Sequence, residues 1–352
     1  MFLAKLVNTG SQVFTMGDSQ LLARAFLEVT PLSKRQNAAS LLNPYEAFPL
    51  SPVLLESIIC FADILGFSAQ SRASLTAGTG DDFLAKINSA LSTAYEYVRD
   101  NARRQNFVDR YCLKTFTDNA VIGFPEVEVE PEKRAEDLDN SLLICASFQS
   151  QLVMHGFLLR GAIAYGKHYM NNDIVFGDAL LEAVDLDRHG GAPRLVLSPS
   201  AIRYLIKHVP TIDKSKKSSF LELLLHDSDG LPFVDYLNHD LLGPLGDVFI
   251  DHAYSHRTAI LEGIENCLGN PEAIQKWAWV AGYHNFICRR VMAKESGNLE
   301  EDDEDGLAWT SDKMIELEEC VISPVQGIQL VEKFRIVTID SLRELEQIKF
   351  CL

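Results

Sequence analysis

The hydrophobic pattern changes period several times along the chain. Leu55–Ala62 is a near-continuous apolar run, the mark of a strand buried on both faces. From Asp82 to Arg104, apolar Phe83, Ile87, Ala90, Leu91, Ala94 and Val98 recur at helical spacing and predict an amphipathic helix. Two strands follow, Val108–Phe116 and Ala120–Phe124, with the polar step Thr117-Asp118-Asn119 between them as a hairpin turn. After a polar loop at Glu126–Glu136, Ala135–His155 predicts a second helix. Phe157–Tyr165 and His168–Val175 predict further strands, with Gly156, Gly161, Gly166 and Gly177 marking bends. A helix at Asp178–Arg188 and a short strand at Leu195–Leu197 follow. Strand, helix, two strands, helix, strand is the ferredoxin-like split βαβ order, so the expected class is α/β (α+β).

Three regions are expected. Residues 1–50 are a lead segment with a helix near Ser19–Glu28 and a proline-punctuated stretch, Asn43–Pro52. Residues 51–205 hold the alternating unit. Residues 206–352 form a largely helical extension, in which Lys214–Ser219 is a charged loop and Leu231–Leu237 a short strand or a turn of helix. Asp251–Leu268 and Pro271–Ala293 predict a helical hairpin closed by Gly269-Asn270. No internal repeat is present.

Length and charge then narrow the function. At roughly 100–200 residues per domain, 352 residues suit two domains or one with a large extension. The net charge of −17 speaks against a nucleic-acid surface, which needs a basic stripe. Part of the acidity is the run Glu300–Asp305, read as a solvated loop. The seven cysteines include no CxxC pair, so neither a zinc knuckle nor a redox pair is suggested, and Cys60, Cys112 and Cys145 read as core thiols. No run approaches the roughly 20 apolar residues of a membrane span, and the first residues lack a signal-peptide pattern; a cytoplasmic protein is expected.

The candidate chemistry lies in three places. Phe61-Ala62-Asp63-Ile64-Leu65-Gly66-Phe67 puts an acidic residue at the end of a buried strand, which is costly unless something pairs it. A divalent cation would do so, with Ile64 adding a backbone carbonyl and Gly66 allowing a phosphate close to the backbone. Asp63 could equally cap the following helix. Lys114-Thr115-Phe116-Thr117-Asp118 puts a second carboxylate at the hairpin tip, where Asp is also common for turn reasons. A split βαβ fold makes these segments neighbours, and two carboxylates so placed suit two oxygen-liganded Mg²⁺ or Mn²⁺ ions. Arg160 is a candidate phosphate clamp or an ordinary strand-end arginine. His252 and His256, four apart on a helix, read as solvated or packing histidines; Trp277, Trp279 and Tyr283 as hairpin core or interface; Asp227 and Asp229 as a turn.

FADILGF, KTFTD, LLRGAIAYG, FGDALLEA and PRLVLS, in this order over residues 55–200, resemble the class III adenylate/guanylate cyclase family. The resemblance implies a ferredoxin-like catalytic fold that works as a homodimer with composite sites. It also implies two metal-binding aspartates, Asp63 and Asp118, and a base-contacting lysine, Lys114. Phe61, Gly66, Phe67 and Arg194 join Lys114 as expected nucleotide contacts, and Arg160, Arg188 or Arg194 as expected charge stabilisers. The family's Asn and Arg on the next helix are replaced by Leu181 and Asp185. The extension, with DGLPFVDYL and AWVAGYHNF, resembles the bacterial pyrimidine cyclases of Pycsar anti-phage defence. That resemblance implies UTP converted to 3′,5′-cyclic UMP, or else CTP to cyclic CMP, as a messenger for a separate cyclic-nucleotide-binding effector. The rivals are an adenylate or guanylate cyclase and a degenerate, non-catalytic cyclase domain acting as a nucleotide sensor.

Overall fold

The computed structural model describes residues 43–46, 52–126, 131–189, 191–208, 219–237, 250–297, 313–324, 330 and 333–347. The helix expected near Ser19–Glu28, the acidic run Glu300–Asp305 and the Lys214–Ser218 part of the charged loop lie outside them. The fold mixes helices with one sheet, nine-stranded among the described residues and mostly antiparallel.

The sheet grows from β1 (Leu55–Ile64), whose residues Ile58–Ala62 are all buried. An apolar run of this kind tolerates no solvated face, and β1 is covered on both edges by strands. β2 (Cys112–Phe116) and β3 (Asn119–Pro125) form the hairpin, and β4 (Leu159–Met170) flanks β1 on its other side. The order is β2-β3-β1-β4, every neighbour antiparallel. Gly161 of β4 is required by this packing: a Cβ there would stand 1.9 Å from the Phe61 carbonyl oxygen.

Two expectations change at this level. In place of two strands over residues 157–175, one long strand, β4, runs from Leu159 to Met170 and the short β5 (Val175–Gly177) follows, because β4 pairs with β1 without a break from Leu159 to His168 and the ladder overrides the local signal of Gly166. Val108–Tyr111 is a turn. The helix before it ends at Arg104, Asn106 turns the chain with a φ of 52°, and Phe107 then stacks on Phe124 at 6.2 Å, so pairing starts only at Cys112.

Helix α1 (Phe67–Ala77) buries no residue, and its boundaries come from Gly66 and Gly78, both left-handed with φ of 74° and 75°. α2 (Gly80–Arg104) turns Ile87, Ala90, Ala94 and Val98 to the core and packs against α3 (Pro131–Met154). α4 (Asp178–Arg188) lies against β4 and β1. β6 (Leu195–Leu197) runs parallel to β4 and leads into α5 (Pro199–His208).

The sheet does not stop near residue 205. β6 pairs with β8 (Pro232–Val234), β8 with β7 (Leu224–His226), and β7 with β9 (Arg335–Ile336). The helical hairpin α6 (Ile250–Asn266) and α7 (Pro271–Gly297) covers this part. Gly263 lets the helices close: a Cβ there would meet the Trp277 ring at 2.2 Å. α7 is tied to β8 through buried Asp235, which accepts from Tyr283 at 2.6 Å and pairs with Arg290 at 3.0 Å.

His256 and His284 are fully buried between the helices, Nδ1 to Nδ1 at 3.0 Å. The Cys320 carbonyl accepts from His284 Nε2 at 3.0 Å, so His284 Nδ1 is the acceptor for the His256 Nδ1–H. His256 Nε2 then accepts the Tyr236 hydroxyl at 3.1 Å. Each neutral ring has one donor and one acceptor, and a proton added at His284 Nδ1 would set two donors face to face. Burial lowers both rings, His284 to about 4 and His256 well below its usual value. Since these folded values lie below the unfolded one, stability from this pair is complete above pH ~6.5 and falls as the pH drops toward 4. Ring-nitrogen NMR is expected to show both imidazoles neutral at pH 5.5; a cationic ring at that pH contradicts the arrangement.

Candidate active site

The ends of β1, β3 and β4 bring three carboxylates and one guanidinium together. Asp63 is the penultimate residue of β1, with Asn119 of β3 across one edge and Arg160 of β4 across the other. Asp118 is in the hairpin turn just before β3, and its carbonyl oxygen accepts the Ile64 N–H at 2.8 Å. The two sequence-distant aspartates are therefore neighbours, as their segments predict. The turn is held by Thr117, whose φ is 57°, and by Asp118 Oδ1, which accepts from Thr117 Oγ1 at 2.7 Å and Asn119 Nδ2 at 3.1 Å.

Asp187 is the member that sequence reasoning missed. It stands on α4 and binds Arg160 in two-pronged fashion, Nε to Oδ1 at 2.8 Å and Nη2 to Oδ2 at 3.4 Å. A signal was available: Ala179, Ala183 and Asp187 recur every four residues on the buried face of α4, and an Asp on such a stripe needs a partner. Arg160, expected as a phosphate clamp, is committed to this carboxylate, which raises its pKa further.

Asp63 is half-buried, and its pKa rises to about 6. Burial is the main cause, followed by the negative charges of Asp187 and Asp118; Arg160 and Lys276 act in the opposite direction. A half-buried carboxylate among carboxylates is a site that gains from a cation. Asp63, Asp118 and the Ile64 carbonyl are the groups that could hold one.

The other expected nucleotide contacts are spread around this centre. Phe61 is buried in β1, and Phe67 packs against Phe83 at 5.7 Å. Gly66 supplies the left-handed turn between Asp63 and α1. Lys114 donates to the carbonyl oxygens of Asn171 at 3.2 Å and Asn172 at 2.6 Å, tying β2 to the β4–β5 turn. Arg194 is 4% exposed, pairs with Asp227 and Asp229, and lies over the rings of Phe233 (5.6 Å) and Trp279 (6.0 Å). Leu181 and Asp185 on α4 are exposed, and Asp185 pairs with Arg188 at 3.0 Å. A small cavity of about 30 Å³ opens toward the other end of the sheet among Ile58, Phe107, Arg110, Phe124, Arg134 and Tyr204, away from Asp63 and Asp118.

No protein-family model matches the chain, and no curated protein matches it significantly. Among the described residues, no helix is long and apolar enough to cross a membrane.

Proposed function

We propose that the chain is a class III nucleotide cyclase that closes a nucleoside triphosphate into a 3′,5′-cyclic monophosphate and pyrophosphate. The observation that carries this reading is the meeting of Asp63 and Asp118 at one end of the sheet, where, among the described residues, no cation is hydrogen-bonded to the half-buried Asp63. The strand order β2-β3-β1-β4 supports it, because a ferredoxin-like split βαβ unit produces that order.

Two Mg²⁺ or Mn²⁺ ions bound by Asp63, Asp118 and the Ile64 carbonyl would acidify the ribose 3′-hydroxyl and neutralise the triphosphate. The chain's own task is to orient. Gly66 keeps the backbone open beside Asp63, and the hairpin turn fixes Asp118. The 3′-oxygen bonds to the α-phosphorus while the bond to the bridging oxygen of pyrophosphate breaks, and the hydroxyl proton passes to solvent. No protein nucleophile is required.

A homodimer with composite sites belongs to the same reading. Ile174 and Phe176 around β5, Leu181 on α4 and Phe116 beside Asp118 are large apolar side chains 38–65% exposed. Apolar exposure of this kind suits a partner surface. The favoured substrate is a pyrimidine triphosphate, UTP ahead of CTP, since Leu181 stands where a purine-reading Asn is expected. A cyclic pyrimidine nucleotide would then act on a separate effector in anti-phage defence.

The test is incubation with equal ATP, GTP, CTP and UTP plus Mn²⁺, followed by mass spectrometry. One cyclic pyrimidine monophosphate is expected, with equimolar pyrophosphate. A purine product overturns the base assignment. No product from any triphosphate overturns the enzyme and favours the nucleotide sensor.

A further inference from the structure

Asp63 and Arg160 are direct partners in the antiparallel β1–β4 ladder. Side chains paired in this way rise from the same face of the sheet with Cβ atoms about 5 Å apart, well within the reach of an arginine. The carboxylate that could hold a metal ion therefore has a guanidinium on the adjacent strand. Left alone, the two would form an ion pair that a metal ion must displace. The structure avoids this. Among the described residues both side-chain hydrogen bonds of Arg160 go to Asp187, Nε to Oδ1 at 2.8 Å and Nη2 to Oδ2 at 3.4 Å.

α4 is shaped for that capture. Ala179 and Ala183 are buried, and such small side chains let the helix lie close against β4 and β1. Asp187 continues their stripe one turn further on, at the C-terminal end of α4. The free carbonyls of a last helical turn favour a cation, so helix and carboxylate draw the guanidinium the same way. The planar fork of arginine fits both carboxylate oxygens and fixes its direction. Arg188, the neighbouring cation on α4, is taken up by Asp185 at 3.0 Å. The Arg160 and Asp187 side chains are only 21% and 10% exposed, so solvent loosens their pair less than it would a surface pair.

We propose that Asp187 is a positioning residue for the metal site: by holding Arg160, it keeps the Asp63 carboxylate free to take a divalent cation. This rests on the part of the cyclase reading that puts a metal ion on Asp63.

The experiment measures Mn²⁺ binding to the nucleotide-free protein by calorimetry, with the melting temperature of each variant alongside. Asp187→Asn keeps the shape and removes the charge, so Arg160 turns to Asp63. Mn²⁺ affinity is expected to fall about tenfold, the scale of one hydrogen bond to a charged group. Adding Arg160→Met to Asp187→Asn removes the competing cation and is expected to bring the affinity back to within about threefold of wild type. Arg160→Lys keeps the charge without the two-pronged grip and is expected to weaken Mn²⁺ binding about threefold. A residue that only braces the fold would lower the melting temperature and leave the Mn²⁺ affinity of the folded protein unchanged. A folded Asp187→Asn protein that binds Mn²⁺ within about twofold of wild type overturns the proposal and leaves the cyclase reading intact. So does a double variant as weak as Asp187→Asn alone. If Asp187→Asn does not fold, Arg160→Lys decides, and wild-type affinity there overturns the proposal. Mn²⁺ affinity unchanged by Asp63→Asn overturns both the proposal and the metal site it serves. A wild type that binds Mn²⁺ through Asp63 and converts no triphosphate overturns the cyclase reading alone.

Discussion

Asp63→Asn and Asp118→Asn are each expected to lower turnover at least about a hundred- to a thousand-fold, the scale reached when a group that stabilises transition-state charge is lost. Neither is expected to unfold the protein. Asn is nearly isosteric with Asp, and in the turn it keeps the Oδ1 that accepts from Thr117 and Asn119. For Asp63 the sign of the stability effect is informative. Its folded pKa, about 6, lies above the unfolded value near 4. The folded state therefore binds the extra proton, and the unliganded protein loses stability as the pH rises from about 4 to about 6. Above pH 6 the ionised Asp63 sits half-buried beside Asp187 and Asp118, so removing its charge relieves repulsion. Asp63→Asn is thus expected to melt at or above the wild-type temperature at pH 7.5 without metal, while being inactive. Activity traded against stability in this way marks a functional carboxylate, whereas a structural one loses both. A folded Asp63→Asn enzyme with more than a tenth of wild-type turnover would remove Asp63 from the mechanism.

Much of this site was legible because strands carry their own signal. The apolar run before Asp63 fixes β1, the hairpin step fixes Asp118, and the split βαβ order places the two side by side. α4 matches its expected span because an amphipathic helix declares itself over three turns. What was not legible depends on contacts made after the sheet assembles. Asp187 lies 27 residues from Arg160, and Asp227 lies 33 from Arg194. Neither pairing has a local spacing to betray it. α1 has no buried stripe and so no periodicity; its two left-handed glycines are its only boundaries. β7, β8 and β9 are two or three residues long, too short to show alternation, so beyond Leu231–Leu237, read as a short strand or a turn of helix, the extension gave no sign of completing the sheet.

Arg194 gives the second large effect, on stability. Sequence alone suggests a nucleotide contact, but the side chain is buried, paired with Asp227 and Asp229 and flanked by Phe233 and Trp279. Its arms are unequal. Asp227 is 8% exposed in its side chain, Asp229 48%. Arg194→Met keeps the bulk and removes the charge, leaving the Asp227 carboxylate buried with, among the described residues, the Trp279 indole and the Ser228 N–H and hydroxyl as donors. Breaking a buried pair from one side costs about 3–5 kcal/mol, and the remaining donors put the expected loss near ~3 kcal/mol by urea unfolding. Asp229→Asn, at the exposed arm, is expected to cost below ~1 kcal/mol. The double variant Arg194→Met/Asp227→Asn should recover part of the loss, because the stranded charge is then gone. Since the buried Arg194 guanidinium is spent on Asp227 and Asp229, the folded fraction of Arg194→Met should keep its KM for triphosphate within about threefold under stabilising conditions. An Arg194→Met protein as stable as wild type, with KM raised tenfold or more, would instead make Arg194 a substrate ligand.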